Sequence, residues 1–414
     1  MLSAEIIAIG SELLTPERTD TNSLWLTEKL NEIGIEVKLK TVVGDDAGRL
    51  EETIKDAFAR SDVVVTTGGL GPTEDDITRA CAAKAVGKNL ILNETLVDEI
   101  RARFQQMMRE MPEINKRQAM IIEGAQVLSN PHGSAPGILF QPTGDKFLVI
   151  LPGPPREMKP MFENLVLPRL REKAGEIVVK RRVLRVAGLG ESAIDAQIAP
   201  IYTEYQNPQT SILFNRSEVE IWLTAKGSSE QEATSLLNEV GGKISEKLGA
   251  AVFAQNGELM EEIIAKLLTE RQQTLAIAES CTGGLICERL TEIPGSSAFF
   301  IEGIAAYANA AKIRSLRVPA ELIERHGAVS AEVAEAMAKN LRALAGTDFT
   351  LSVTGIAGPG GGTEEKPVGL VFIGYSDALQ TTHRRLNLPG DRHLIRWRAS
   401  QAALDLLRRK LLKN

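Results

Sequence analysis

The first third of the chain alternates short apolar runs with segments whose apolar positions recur every three to four residues. Glu5–Gly10 (EIIAIG) reads as a buried strand, about Thr21–Gly34 as a helix and Ile35–Val43 as a strand. Gly48–Arg60 then reads as an amphipathic helix and Asp62–Thr67 (DVVVTT) as a second buried strand. Such alternation implies a largely parallel sheet with helices on both faces. Phe147–Leu151 (FLVIL) is a further buried strand, stopped by Pro152-Gly153-Pro154-Pro155, and a helix over about Arg156–Lys173 closes the segment.

The pattern changes near Gly175. Val178–Val186, Ser211–Phe214, Glu218–Thr224 and Ala251–Ala254 read as strands, and Glu191–Ile198 and Ser229–Leu248 as helices. That order, βαββαβ, describes a small α+β layer. It carries no phosphate loop, no clustered titratable groups and no KH-type GxxG loop, so it is read as a linker or interface domain. From about Glu258 the α/β alternation returns. Helices are predicted at Leu259–Glu270, Gly283–Leu290, Ala331–Ala345 and His393–Leu412, and strands at Thr274–Ala278, Asp348–Val353 and Gly369–Tyr375. The fold class is therefore α/β: a three-layer domain over 1–174, a small α+β domain over 175–256 and a second α/β domain over 257–414. Few contacts are expected to cross the boundaries near Gly175 and Gly257.

Composition narrows the function. At 414 residues the chain exceeds what one core usually supports. A net charge of −6 and an aromatic content of 4% argue against a nucleic-acid surface or a base-stacking platform. Cys81, Cys281 and Cys287 form no CxxC and are odd in number, so reduced thiols are expected. His132, His326, His383 and His393 lack zinc-ligand spacing. The N-terminal MLSAEIIAIGSELL has no basic leader region, and no stretch approaches the ~18 apolar residues of a membrane span. A cytoplasmic protein with no nucleic-acid or membrane partner is expected.

Two constellations carry chemistry. Thr66–Thr78 (TTGGLGPTEDDIT) lies where a buried strand gives way to a helix. Gly68, Gly69 and Gly71 let backbone N–H groups approach a phosphate. Glu74, Asp75 and Asp76 offer oxygen ligands to a divalent metal, Mg²⁺ or similar, bridging to it. Gly10–Leu14, Asp20-Thr21-Asn22 and Pro152–Glu157 flank neighbouring strands, and such loops converge at the strand ends of a doubly wound sheet. A plain Gly-Pro turn, with acids favouring the helix N-terminus, is the rival explanation.

The second constellation begins at Ala278–Gly284 (AESCTGG), with Ser280 between a strand and a helix whose first amides would meet an oxyanion. Tyr307–Lys312 (YANAAK) supplies a phenol and an amine. Val353–Thr363 (VTGIAGPGGGT) is a glycine-dense loop, and Gly390-Asp391-Arg392 with Arg396 sets two cations one helical turn apart. Taken singly these are an N-cap, a surface lysine and ordinary loops. Together they read as nucleophile, base, phosphate cradle and phosphate clamp, because serine pairs with lysine where no histidine serves.

These residues resemble the CinA (competence/damage-inducible protein A) family. Over about 1–173, Asp20–Asn22, Gly68–Thr78, Asn130–Gly137 and Pro152–Met158 are similar to its molybdopterin-binding-like domain. That resemblance implies a metal-dependent ADP-ribose pyrophosphatase, with Asn22, Gly68, Gly69 and Gly71 toward substrate and Asp20, Glu74, Asp75 and Asp76 toward metal. Over about 257–412, Glu279–Gly284, Pro294–Ser297, Tyr307–Lys312, Thr354–Pro359, Lys366–Gly369 and Gly390–Arg396 are similar to the nicotinamide mononucleotide deamidase domain. That resemblance implies an amidohydrolase without a cofactor, and for the whole chain a homodimer acting on small-molecule nucleotides. Ser280 would be nucleophile and Lys312 base, assisted by Tyr307 and Thr354. Gly283, Gly284, Gly355 and Gly358 would line the substrate, and Arg392 or Arg396 would hold its phosphate. Glu302 and Ala308 depart from the family's usual glycine and serine, and Thr15-Pro16-Glu17 from its usual glycine. The rival expectations are a non-catalytic scaffold for recombination proteins and a pterin ligand for the first domain.

Overall fold

A computed structural model describes residues 2–106, 108–142, 144–175 and 177–412. They divide into two compact units, Met1–Lys180 with Lys226–Thr234, and Arg181–Ala225 with Ser235–Asn414. No helix among the described residues is long and apolar enough to cross a membrane.

In the first unit β1 (Ser3–Ile9), β2 (Glu36–Val43) and β3 (Val63–Thr67) precede a two-stranded ribbon of β4 (Leu90–Leu92) and β5 (Met120–Ile122). β6 (Gln126–Leu128), β7 (Gly137–Phe140) and β8 (Phe147–Leu151) follow, and the main sheet is ordered β2-β1-β3-β8-β7-β6. The expected parallel sheet covers β2, β1, β3 and β8, while β7 and β6 finish it antiparallel. Successive strand residues point to opposite faces. Hence Val64, Leu148 and Ile150 enter one helix-covered core, and Val63, Val65, Phe147 and Val149 the other. The helix expected over Arg156–Lys173 is broken into Pro155–Met161, a π turn at Phe162–Val166, and Leu167–Ala174. Pro160 and Pro168 cannot donate to the helical ladder, which accounts for the interruption.

The second unit contains most of a sheet ordered β10-β11-β9-β12, from β9 (Val178–Ala187), β10 (Gln209–Asn215), β11 (Glu218–Gly227) and β12 (Val252–Ala254). Its larger sheet is β14-β13-β15-β16-β17, from β13 (Leu275–Glu279), β14 (Phe300–Ala305), β15 (Phe349–Gly355), β16 (Leu370–Ser376) and β17 (Thr381–Asn387). The first three are mutually parallel and the last two antiparallel. The helix Arg392–Leu411 buries Ile395, Ala399, Ala403, Leu404 and Leu407 in the core beneath this sheet. That same core takes in Ala187, Phe253 and Ala254. Arg185 Nε donates to the Gly257 carbonyl at 2.9 Å, and Arg408 Nη2 to that of Ala250 at 2.6 Å. The quiet boundary expected at Gly257 is therefore absent, because packing runs straight across it.

Candidate active site

β13 is buried along its whole length and ends at Glu279, and Ser280 N extends its pairing by donating to the Val353 carbonyl at 2.9 Å. Gly283 (φ 63°) and Gly284 (φ 97°) then take left-handed conformations that glycine adopts without a Cβ penalty. The chain thus reverses into the helix Leu285–Thr291 immediately behind Ser280. β14 runs parallel beside β13, and Ala306 N bonds to the Glu279 carbonyl at 2.8 Å. This carries the helix Asn309–Leu316 over the end of β13.

Lys312 arrives there almost wholly buried. Its Nζ lies 2.9 Å from Ser280 Oγ, 2.9 Å from the Ala306 carbonyl and 3.1 Å from that of Tyr307. Burial holds its pKa below the usual lysine value, and the neutral amine is thereby favoured. A neutral amine has two hydrogens and one lone pair. With the hydrogens on the two carbonyls, the lone pair faces the Ser280 hydroxyl. The neighbouring Cys281 is also buried, but desolvation pushes its thiol up to about 12, so it stays protonated.

Glu279 and Thr282 are site residues that the sequence reading left out. Glu279 is fully buried; Oε2 accepts from Gly284 N (3.0 Å) and Ile286 N (3.2 Å), and Oε1 from Cys287 N (2.9 Å). The amides expected to meet an oxyanion at the helix start are thus already taken. Among the described residues, the Cys281 and Thr282 N–H groups are left without a protein partner. The Thr282 hydroxyl is also buried and unpartnered. Both lie within the AESCTGG motif, but nothing in the sequence assigns either residue a role.

The two arginines separate in role. Arg392 is exposed; it donates through Nη1 to the Gly358 carbonyl at 2.7 Å and through Nη2 to Tyr307 Oη at 2.9 Å. Arg396 is half-buried and holds the Thr282 carbonyl through Nε (3.2 Å) and Nη2 (2.6 Å). Tyr307 is exposed. Thr354 is buried and donates to the Ala328 carbonyl at 2.8 Å, with no side-chain hydrogen bond to Ser280 or Lys312 among the described residues. Gly355 has no room for a side chain, since a Cβ would meet Val371 and the Leu370 carbonyl at under 3 Å.

In the first unit the loops after β1, β3 and β8 do converge. They line a cavity of about 440 Å³ that includes Glu12, Asp45, Gly68, Gly69, Gly71, Asp75, Asp76 and Glu157. A second cavity of about 300 Å³ holds Asp20, Asn22 and Thr67, where Asn22 Nδ2 donates to Thr67 Oγ1 (3.0 Å) and the Gly153 carbonyl (2.7 Å). The expected metal-binding set is not assembled. Glu74 pairs with Arg117 at 2.6 Å, and Asp20 caps the first helix through Ser23 N at 2.9 Å. Asp76 is tied to Gly71 N (2.7 Å) and to Thr73 N and Oγ1. Among the described residues no three His, Cys, Asp or Glu side chains gather to grip a cation. Glu12, Asp45 and Glu157 were not among the expected site residues; they enter the crevice from loops whose side-chain directions the sequence does not reveal.

Comparison with known proteins matches residues 257–411 to the CinA C-terminal domain and residues 5–172 to the probable molybdopterin binding domain. Residues 181–254 match the KH domain of damage-inducible protein CinA. The CinA-like protein of Koribacter versatilis is 46% identical over 412 residues, spanning 99% of this chain and 100% of the relative. The chain belongs to the CinA family. The CinA-like protein of Solibacter usitatus is likewise 46% identical, over 99% of this chain and 98% of that one. Among solved structures, competence/damage inducible protein CihA from Agrobacterium tumefaciens is 39% identical, covering 37% of this chain and 93% of its own, with a TM-score of 0.36. The KH match corrects the reading of the middle segment as a plain linker. Residues 181–254 still contain no GxxG, the loop with which such domains clamp a nucleic-acid backbone.

Proposed function

We propose that the second unit hydrolyses the amide of nicotinamide mononucleotide to nicotinate mononucleotide and ammonia. The observation that carries the reading is the 2.9 Å approach of Lys312 Nζ to Ser280 Oγ, with two backbone carbonyls within reach of the same amine. Lys312 takes the Ser280 proton as Oγ attacks the carboxamide carbon, giving a tetrahedral oxyanion within reach of the Cys281 and Thr282 N–H groups. The intermediate collapses as Lys312 returns the proton to the leaving nitrogen, and ammonia departs. Water, deprotonated by the same amine, then hydrolyses the acyl ester and restores Ser280. Arg392, exposed at the rim, suits the substrate phosphate, while Arg396 holds the nucleophile loop by its Thr282 carbonyl. The carboxylates of the first unit do not fit a metal as a set among the described residues. The test is ammonia release from nicotinamide mononucleotide by the full chain. Release that Ser280→Ala abolishes supports the reading; a folded chain releasing none returns the family to a scaffold role.

A further inference from the structure

Away from Ser280, a cavity of about 360 Å³ opens where the β10–β11 turn and the end of β9 meet β17 and the C-terminal helix, all within the second unit. Its walls are apolar, from Phe214 (51% exposed), Leu386 and Leu388, and two guanidinium groups, Arg384 and Arg398, stand at its edge. The cavity's one carboxylate, Asp405, is already paired with Arg408 and Arg409, so it does not neutralise them. Neither Arg384 nor Arg398 has a carboxylate partner among the described residues; Arg398 donates only to the Pro389 carbonyl. The Ser217 hydroxyl, also in the lining, is buried with no hydrogen-bond partner. Unpaired cations, an orphaned hydroxyl and an apolar wall in one hollow are what an amphipathic anion matches.

We infer that this cavity is a second small-molecule site, taking an organic anion with a flat apolar body against Phe214, Leu386 and Leu388 and its acid group on Arg384 and Arg398. Occupation reaches the proposed active site by a short route. The anion competes with the Pro389 carbonyl for Arg398, and three residues later Arg392 bonds Gly358 and Tyr307. The site is an effector site for the amidase, and that second clause rests on the amidase reading.

The probe is 8-anilinonaphthalene-1-sulfonate, an aromatic sulfonate whose fluorescence reports apolar binding, titrated into the full chain. Saturable binding at one probe per chain is expected. Ala402→Trp, which fills the hollow from the C-terminal helix, should weaken it at least tenfold with the melting temperature preserved. Arg398→Ala with Arg384→Ala should do the same without filling the space. In the native chain, saturation should shift the KM for nicotinamide mononucleotide at least threefold, and in Ala402→Trp it should not. Absence of saturable binding, or binding that both variants leave unchanged, overturns the site; an unmoved KM in an active, saturated enzyme overturns the effector role. If the chain releases no ammonia at all, the fluorescence titration still decides the site, so failure of the amidase reading is seen separately.

Discussion

Lys312→Met is the perturbation that most directly tests the active-site chemistry. Methionine keeps the length and apolar stem of the buried side chain, and removes only the amine facing Ser280 Oγ. A positioned general base contributes roughly 10²–10⁴-fold, or about 3–5 kcal/mol of barrier at ~1.4 kcal/mol per decade. kcat for ammonia release should therefore fall by that factor. The variant leaves the Ala306 and Tyr307 carbonyls without their donor, at about 1–3 kcal/mol for each buried group, but it also abolishes the burial of an ionisable amine. The fold should accordingly survive, as thermal denaturation would check. The pH profile gives a second readout. Because burial lowers the lysine pKa, the active neutral form builds up as pH rises, and kcat/KM should climb to a plateau below the ordinary lysine value of about 10.5. Stability has the same sign. Between the lowered folded value and the unfolded one the unfolded chain binds more protons, so stability rises with pH across that window and the penalty is full below it. Both slopes should vanish in Lys312→Met. A folded variant retaining more than a tenth of native kcat, or one keeping the rising limb, refutes the assignment of Lys312 as base.

Three further outcomes are expected. Cys281→Ser should keep kcat within a few-fold, because burial holds that thiol protonated; loss of activity there matching Ser280→Ala would point to the wrong nucleophile. Arg392→Ala should raise KM for the phosphorylated substrate roughly 10–100-fold with a smaller change in kcat, whereas Arg396→Ala should lower kcat; the scale is that of a hydrogen bond to a charged group, about 1.5–3 kcal/mol, and reversal of the split would exchange their roles. A fragment of residues 255–414 should melt well below one of 181–414, because it loses Phe253 and Ala187 from the shared core, where burying one large side chain gives about 1.5–3 kcal/mol; equal melting temperatures would restore the boundary at Gly257.

What the sequence disclosed followed burial. FLVIL and the LAIA of Leu275–Ala278 are apolar throughout because both faces of those strands are covered, and such runs announce themselves. β17, TTHRRLN, lies at a sheet edge with most of its side chains in water, and nothing in its pattern distinguishes it from a loop. β14, FIEGIA, is the other edge and was missed for the same reason. That omission matters to the site, since it is β14 returning beside β13 that sets Lys312 against Ser280 across 32 positions of sequence. Residue types and glycine placement named the pair; only the sheet order gave the distance. The acidic loop shows the converse. Its position at a strand end was legible, but whether a carboxylate turns to a crevice or to a partner such as Arg117 depends on contacts far along the chain.

On the proposed mechanism, Glu279 accounts for why the helix behind Ser280 would not serve the oxyanion as its placement suggests. A fully buried carboxylate one residue from a centre that develops negative charge opposes that charge unless it is neutralised locally. Three backbone N–H groups at the helix start neutralise it, so the positive end of the helix is balanced before substrate arrives. In that mechanism the oxyanion would fall to the amides of Cys281 and Thr282, which directly follow Ser280 in the chain. Gly283 N closes the turn on the Ser280 carbonyl at 3.1 Å, and Arg396 binds the carbonyl of the same Thr282–Gly283 peptide. The guanidinium thus withdraws electron density from a peptide that pins Ser280, and sets its positive charge one peptide from the oxyanion donors. On the proposed mechanism Arg396 would influence the barrier without touching phosphate, and the exposed Arg392, held by Gly358 and Tyr307, would meet it.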